Sequence, residues 1–475
     1  MKIGIIGAGP AGLTCAYVLS REGHTVEVFE ADGAAGGMCR TITLWGQKVD
    51  LGPHRFFSSD PRINKLWLEV AGADYAMVDR LTRIYYNSRF FYYPLKPWNA
   101  LGNLGLPQAT VCIASYLREL IFKTPQDGSF ETWGISRFGR KLYEIFFKTY
   151  TEKLWGMSCK ELDADFAAQR IRKLSLLEVA KDALCLGGKN THKTLVDQFA
   201  YPLEGTGMIY ARMAAAVEAN GGTVRLGLPV ARVRVESGRV TGIVDAQGGE
   251  HEFEAVVSTM PITQLLAGLP EAPAPVRQAG DRLRYRNTTL VYLLVDHPEL
   301  FRDNWLYIHA ANLRMGRVTN FRNWVPQLYG ESRQTILALE YWCYDEDEFW
   351  RTADDELVRM ATEEMRQTGL LKGRPVLAGS VVRVPKSYPV YYRGYKTDIS
   401  LIEAHLDTIR GLTVIGRGGA YKYNNQDHSI LMGLLAAEKV GAGAGHNLWQ
   451  VNSDDEYHES AEISKTGLVI HESKG

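Results

Sequence analysis

The sequence carries no surplus of charge: Lys and Arg number 54, and Asp and Glu number 54. That balance excludes a protein held on nucleic acid by bulk charge, so any anion recognition must come from arginines placed locally. Cysteine is sparse and scattered, six residues (Cys15, Cys39, Cys112, Cys159, Cys185, Cys343) with no C-x-x-C pair and no cluster at metal-ligand spacing. Neither a disulfide framework nor a metal centre is expected, and reduced thiols are the plain reading. Long apolar runs are missing too. Even the helical stretch 109–122 contains Arg118 and Glu119, short of the ~18 uninterrupted apolar residues of a membrane span. The first residues enter a strand pattern without a basic and apolar leader. A cytoplasmic protein without an integral span is expected, with peripheral membrane contact left open.

At 475 residues with 45% hydrophobic and 23% charged positions, the chain is long enough for about two or three globular domains. Its first dozen residues, MKIGIIGAGPAG, run from an apolar strand into a glycine turn that includes Pro10 and Ala11, with Gly7, Gly9 and Gly12 in G-x-G-x-x-G spacing, and a helix is expected from Leu13 to Ser20. Glu30 then closes a second apolar run, TVEVFE, followed by Ala31. Strand, turn, helix, strand and terminal acid is the order that sets a pyrophosphate on a helix N-terminus and a ribose against a carboxylate. A dinucleotide site is the first expectation.

Shortly after, Gly36 and Gly37 precede Met38 and Arg40. A second glycine pair beyond the ribose acid suits FAD better than a nicotinamide, because the longer cofactor needs another close backbone approach. Gly52, Pro53 and His54 form a glycine-bounded loop that either passes the flavin ring or carries a structural histidine. RIYYNSRFFYYP alternates as a half-buried ribbon. From Ser129 the chain turns helical through TEKLWG, with a further helix expected from about Asp163 through Arg170, so a helical domain is inserted. YPLEGTGM leads to a helix, TVRLGLPVARVRVESGRVTGIV alternates as strands, and HEFEAVVSTMP, with Met260 near its tip, reads as a return to the nucleotide domain. Val230 there is a candidate for backbone contact with adenine. Arg286, Tyr307, Asn320 and Arg322 lie in later strands.

Near the end, GLTVIGRGGAYKYNNQDHSILMGLLAAEKV turns through Gly416, Gly418 and Gly419 into a helix. The polar block 421–429 serves simple capping where Asn425 or Asp427 receives amide hydrogen bonds. Tyrosines, amides, an acid and a histidine together exceed what capping needs, which favours a cofactor or substrate site.

GAGPAG with Glu30, GGMCR, GPHRFFS, YTEKLWG, YPLEGTGM, VVSTMP and GRGGAYKYNNQDHS together resemble UDP-galactopyranose mutase and its nucleotide-sugar mutase relatives, flavoproteins sharing the fold of the amine oxidase and protoporphyrinogen oxidase superfamily. The resemblance runs from the N-terminus to about Val440. It implies an α/β fold: a Rossmann-type, glutathione-reductase-like FAD domain, an inserted helical domain and an antiparallel-sheet substrate domain. The expected segments are 1–75, 201–265 and 396–445 for FAD, 76–125 and 266–395 for the substrate sheet, 126–200 for the insertion, and 446–475 for a partly ordered tail.

By resemblance, Gly52, Pro53 and His54 match the loop beside the isoalloxazine, though proline and Arg55 replace family residues there. Arg170 matches the arginine that reaches the substrate pyrophosphate, with Trp155 nearby. Arg417, Tyr423, Asn425, Gln426, Asp427 and His428, with Ser429 behind them, match the closing motif, shortened between the tyrosine and N-Q-D. Tyr307 and Tyr388 match tyrosines around sugar and diphosphate, and Arg286 or Arg317 a second phosphate arginine. The implied activity is a pyranose/furanose mutase on a nucleoside-diphosphate sugar, with reduced flavin N5 as nucleophile at the anomeric carbon and no net redox change. NADPH or NADH would reduce the flavin. The alternative is a true FAD-dependent oxidoreductase, a desaturase or amine-oxidase type.

Overall fold

The computed structural model describes residues 1–93, 95, 97–165, 198–269, 272–452, 461–464 and 467–470. β1 (Lys2–Ile6), α1 (Pro10–Arg21) and β2 (Thr25–Phe29) form the opening unit. β1 is apolar and buried along four of its five residues, as a strand covered on both faces requires. It lies between β2 and the strand Ala255–Ser258. Leu412–Val414 and Thr223–Arg225 complete a five-stranded sheet in which every pair is parallel. Three distant stretches of sequence thus supply one nucleotide-type sheet, with all strand carboxyl ends on one edge. The helix Gln426–Ala442 packs across α1, and Gly433 permits the contact, since a Cβ there would stand 2.5 Å from the Ala11 carbonyl oxygen.

A second sheet has seven strands in the order Val376–Pro389, Tyr285–Val295, Thr335–Cys343, Arg317–Asn320, Trp305–Ile308, Thr82–Tyr86, Arg89–Tyr92. Its two long central strands are buried along their whole length, which makes them the core of this layer. The pairing is antiparallel except where Trp305–Ile308 meets Thr82–Tyr86 in parallel, the seam between two chain segments. The aromatic ribbon forms the terminal hairpin, closed by Asn87 and Ser88 at φ 48° and 58°. Two left-handed residues give the turn whose twist matches a hairpin.

Above this sheet stand the helices Leu106–Ile121 and Phe130–Phe138, then a continuous helical run from Arg140 to Trp155 containing a π-turn at Glu144–Lys148. Gly156, at φ +64°, ends it. The helix expected from around Asp163 shows its first helical residue at Asp165, after Asp163 bridges Ser129 as extended chain, and the rest of that stretch, Arg170 included, lies outside the described residues. In the tail, Ala461–Ser464 and Gly467–Ile470 pair as an antiparallel hairpin.

Candidate cofactor and substrate site

The glycine turn lies at the carboxyl end of β1. Gly7 adopts φ +98°, and a Cβ on it would meet Thr259 Oγ1 at 2.0 Å; one on Gly12 would meet the Gly7 carbonyl oxygen at 2.0 Å. Pro10 occupies the first turn of α1, where its missing N–H costs nothing. The second glycine pair packs onto the first: a Cβ on Gly37 would come 3.1 Å from Gly9 Cα, and the Gly36 N–H donates to the Ala8 carbonyl at 2.8 Å. Two turns with bare backbones touching make a side-chain-free trough beside a helix N-terminus, which fits a pyrophosphate.

Glu30 is buried, with its carboxylate accepting the Ala8 N–H at 2.6 Å and the Asp32 N–H at 2.9 Å. Lone pairs remain for a ribose hydroxyl. Ala31 is exposed beside it, and Arg40 pairs with Asp32 at 2.9 Å. Leu228 N–H donates to the Glu30 carbonyl, bringing Val230 to the same rim, and Met260 follows Thr259. Gly416, at φ +83°, abuts Ala11 and Thr259. These residues meet on one edge, and their bared backbone fits FAD.

Buried polar partners dock the 50–55 loop. Asp50 accepts from Thr41 Oγ1 at 2.5 Å, Tyr201 Oη at 2.7 Å and the Thr206 N–H at 3.2 Å. Burial nonetheless pushes its carboxyl up to about 6, against those hydrogen bonds. The carbonyls of Asp50, His54 and Arg55 accept from Tyr292 Oη, Thr206 Oγ1 and Gln426 Nε2 at 2.9, 2.9 and 2.7 Å. Gln426, the first residue of the C-terminal helix, therefore ties that helix to the loop.

His54 faces two guanidinium groups. Burial first, then Arg317 and Arg417, pull its pKa down to about 3, so the imidazole is neutral. Arg317 forms a bidentate pair with Glu340 at 2.6 and 2.5 Å. The register explains it: Tyr307 opposes Arg317 and Arg317 opposes Glu340, so the three side chains share one face in a row across three strands. Burial disfavours the Arg317 charge, but the adjacent Glu340 carboxylate holds its pKa well above the usual value. Gly52, at φ +123°, sits on this pair, its pro-Cβ position 3.6 Å from Glu340 Oε1.

Arg417 donates through Nη1 to the Asn424 carbonyl at 3.0 Å, and its guanidinium lies 4.4 Å from the Tyr388 ring centre and 4.6 Å from that of Tyr423. Its Nε and Nη2 are buried without a hydrogen-bond partner among the described residues. A run of ring contacts then leads across the chamber: Trp155 with Tyr423 and Tyr388, Trp342 with Tyr388 and Tyr150, Tyr150 with Tyr307. Burial, then neighbouring Tyr423, pushes the Tyr388 phenol up to about 12, and burial raises that of Tyr150 well above its usual value. Both stay protonated as donors.

Arg286, Asn425 and His428 are taken up by structural contacts. Arg286 is buried, with its guanidinium spent on backbone, donating to the carbonyls of Leu154 at 3.0 Å and Trp342 at 2.6 Å. A Cβ on Gly156 would stand 2.3 Å from its Nη1, so Arg286 ties helix to sheet, and burial lowers its pKa. Asn425 and His428 close a capping box, with His428 Nδ1 accepting the Asn425 N–H at 3.2 Å; Asp427 and Ser429 lie buried in that first turn. Trp155 is fully buried and forms the chamber wall.

Sequence reasoning passed over Glu340 and Tyr150. A lone acid inside TILALEYWC, a strand of otherwise uncharged residues, was the available signal, since a buried charge needs a partner. It also missed Lys153, whose ammonium donates to the carbonyls of Ile308, Ala310 and Met315, and His309, stacked on Tyr150 at 4.7 Å.

Comparison with known proteins adds kinship. The family model described as flavin containing amine oxidoreductase matches residues 10–398. The chain is 26% identical over 345 residues to 15-cis-phytoene desaturase of Synechococcus elongatus, covering 66% of this chain and 69% of that protein. It is 29% identical over 176 residues to a probable UDP-galactopyranose mutase of Klebsiella pneumoniae, 34% of this chain and 43% of that one. Among solved structures, reduced UDP-galactopyranose mutase superposes with a TM-score of 0.82 at 21% identity over 96% of this chain and 98% of that one. A putative protoporphyrinogen oxidase from Exiguobacterium gives 0.70 at 17% identity, covering 93% and 99%. At these identities the superpositions establish the fold.

Proposed function

Since the chain belongs to the flavin containing amine oxidoreductase family, whose cofactor is FAD, we propose that it is a nucleotide-sugar mutase, interconverting pyranose and furanose forms without net redox change. The observation that carries this reading is the unpartnered guanidinium edge of Arg417 beside the Arg317–Glu340 pair, inside a chamber walled by protonated tyrosines. A hydrocarbon substrate would leave those buried donors unsatisfied, at a cost of about 1–3 kcal/mol per group. A diphosphate answers them with bidentate acceptors, and sugar hydroxyls answer the phenols.

Reduced flavin supplies a nucleophilic N5 for the anomeric carbon when it is bound along the glycine trough, with a nicotinamide cofactor as the proposed source of electrons. The chain's own residues do the rest. Arg317 and Arg417 hold the departing diphosphate close enough to return. Glu340 fixes the plane of the Arg317 fork, and Tyr388, Tyr423, Tyr150 and Tyr307 orient the sugar and exclude water. His54 remains neutral, so the loop offers the site a ring nitrogen and backbone groups rather than a third positive charge.

A true oxidoreductase is the second reading, supported by the desaturase likeness along two thirds of the chain. The two are separated by incubating the chemically reduced holoprotein, without oxygen, with UDP-, GDP- and dTDP-sugars and analysing the products by chromatography. The mutase reading expects furanose product with the flavin still reduced. No isomer from any sugar, together with substrate-driven reduction of oxidised flavin by an apolar or amine compound, would establish the oxidoreductase instead. Arg170→Ala tests the remaining candidate arginine: weakened UDP binding with flavin retained is expected, and unchanged affinity removes Arg170 from the site.

A further inference from the structure

We propose that the outward face of the helix Leu106–Ile121, continued by Phe122, docks on an anionic lipid surface and lies in the interface without crossing it. The inference is independent of the mutase reading. This helix reverses the usual surface pattern, in which the outer face is polar. Its buried side is formed by Ala109, Cys112 and Glu119. At 100° per residue, Leu106, Ile113, Leu117 and Leu120 fall within about 60° of one another, as an exposed stripe beside the buried one, and Ile121 and Phe122 follow at the end of the helix. Leu106 is 84% exposed, Ile121 74% and Phe122 71%, and Ile113 and Leu117 are each 52% exposed. Exposed large apolar residues elsewhere in the described chain stand singly, such as Leu226, Leu377 and Leu401. A contiguous apolar patch of this kind marks an interaction surface.

Charge selects the occupant. Arg118 flanks the stripe and Lys123 follows it, both exposed, while exposed Arg137 and Arg140 lie on the two helices packed against this one. The helix's one acid points inward, its carboxylate accepting the Thr124 N–H at 2.6 Å and Thr124 Oγ1 at 2.8 Å. A second copy meeting this face about a twofold axis would set like charges against each other. Anionic headgroups complement them, at about 1 kcal/mol per basic residue near the surface. Sixteen residues span ~24 Å along the helix axis, and no helix of the described residues is long and apolar enough to cross a membrane. A short apolar face with a cationic flank is the form that lies in a bilayer interface.

The test is co-sedimentation of the flavin-loaded protein with vesicles of phosphatidylcholine alone or mixed equally with phosphatidylglycerol, at low and high salt. Wild type should partition to the mixed vesicles and less to the neutral ones, and salt should weaken it. Ile113→Glu with Leu117→Glu should lower the partition coefficient by at least about tenfold while flavin content stays unchanged. Arg118→Gln with Lys123→Gln should remove most of the preference for anionic vesicles. No wild-type binding, or binding indifferent to the glutamates, overturns the proposal. So does a dimer in sedimentation equilibrium that the glutamates split, which would assign the face to a second copy. Loss of stability in the glutamate variant of a wild type that ignores vesicles would assign it to packing within the chain.

Discussion

Glu340→Gln separates a structural account of the chamber from a merely compositional one. In the wild type the carboxylate, 2% exposed, receives both Nε and Nη2 of Arg317. Glutamine keeps the shape and one acceptor but removes the charge, leaving a buried guanidinium uncompensated. Breaking such a pair costs about 3–5 kcal/mol, with glutamine at the lower end because one hydrogen bond survives. The effect on an anionic ligand has the opposite sign. A diphosphate held by Arg317 sits within ~6–8 Å of the carboxylate, which at an effective dielectric of ~20 is a repulsion of ~2–3 kcal/mol. Its removal is partly offset by a less firmly held Arg317 fork, so UDP should bind on the order of tenfold more tightly.

The assay pairs urea denaturation of the holoprotein with calorimetric titration of UDP. The expected result is a destabilised protein that gains nucleotide affinity and recovers ~2.7 kcal/mol of stability at UDP concentrations of ~100 times its dissociation constant. Weaker UDP binding at unchanged stability would refute the reasoning, because Glu340 would then be contacting ligand rather than neutralising Arg317.

Other perturbations probe separate layers. Arg417→Gln should retain FAD and lose roughly 30–160-fold in UDP affinity, the worth of charge-assisted hydrogen bonds of ~2–3 kcal/mol; equal affinity in titration would remove Arg417 from the proposed anion site. Arg286→Lys should lower resistance to urea while leaving UDP affinity alone, and a selective loss of nucleotide binding would restore it as a ligand. Gly12→Ala places a methyl group against the Gly7 carbonyl and should abolish flavin retention, read as the flavin-to-protein absorbance ratio. His309, pulled down to about 3 by burial first and Lys153 next, is neutral in the native state and takes a proton when unfolded below ~6.5. The unfolded state then binds more protons, so stability falls as pH falls through that window. Between pH ~6.5 and ~5 the wild type should lose ~1.6 kcal/mol more than His309→Gln, measured by denaturation at each pH.

The nucleotide edge was legible in the sequence because its constraints are local. Gly12 is required by the carbonyl of its own turn, Gly7 by its positive φ, and Gly37 by the neighbouring glycine turn at Gly9, while Glu30 ends the strand that follows. The seven-stranded sheet was legible in outline from alternation, but its register was not, and the register is what aligns Tyr307, Arg317 and Glu340. Resemblance placed Arg286 and Arg317 on equal terms, both arginines on strands. Gly156 decides between them: one guanidinium runs past a bare backbone into carbonyls, the other faces the loop beside the flavin trough. That choice depends on partners more than a hundred residues away along the chain, and no local pattern encodes it.

The same geometry explains why the closing motif unites structural and chemical work. Asn425 and His428 cap the helix, Gln426 grips the Arg55 carbonyl, and Arg417, one turn earlier in the chain, stacks on Tyr388 and Tyr423 with two nitrogens unspent. The capping box fixes where the helix starts, and Gln426 transmits that position to the loop carrying His54. The loop in turn rests through Gly52 on the Arg317–Glu340 pair. The glycine-turn edge and the two arginines are therefore mechanically continuous, so a ligand that reorients either arginine acts directly on the loop. A substitution such as Gln426→Ala, which cuts this connection without touching either guanidinium, should weaken flavin retention and UDP binding together. Loss of one alone would show that the two halves of the site are independent.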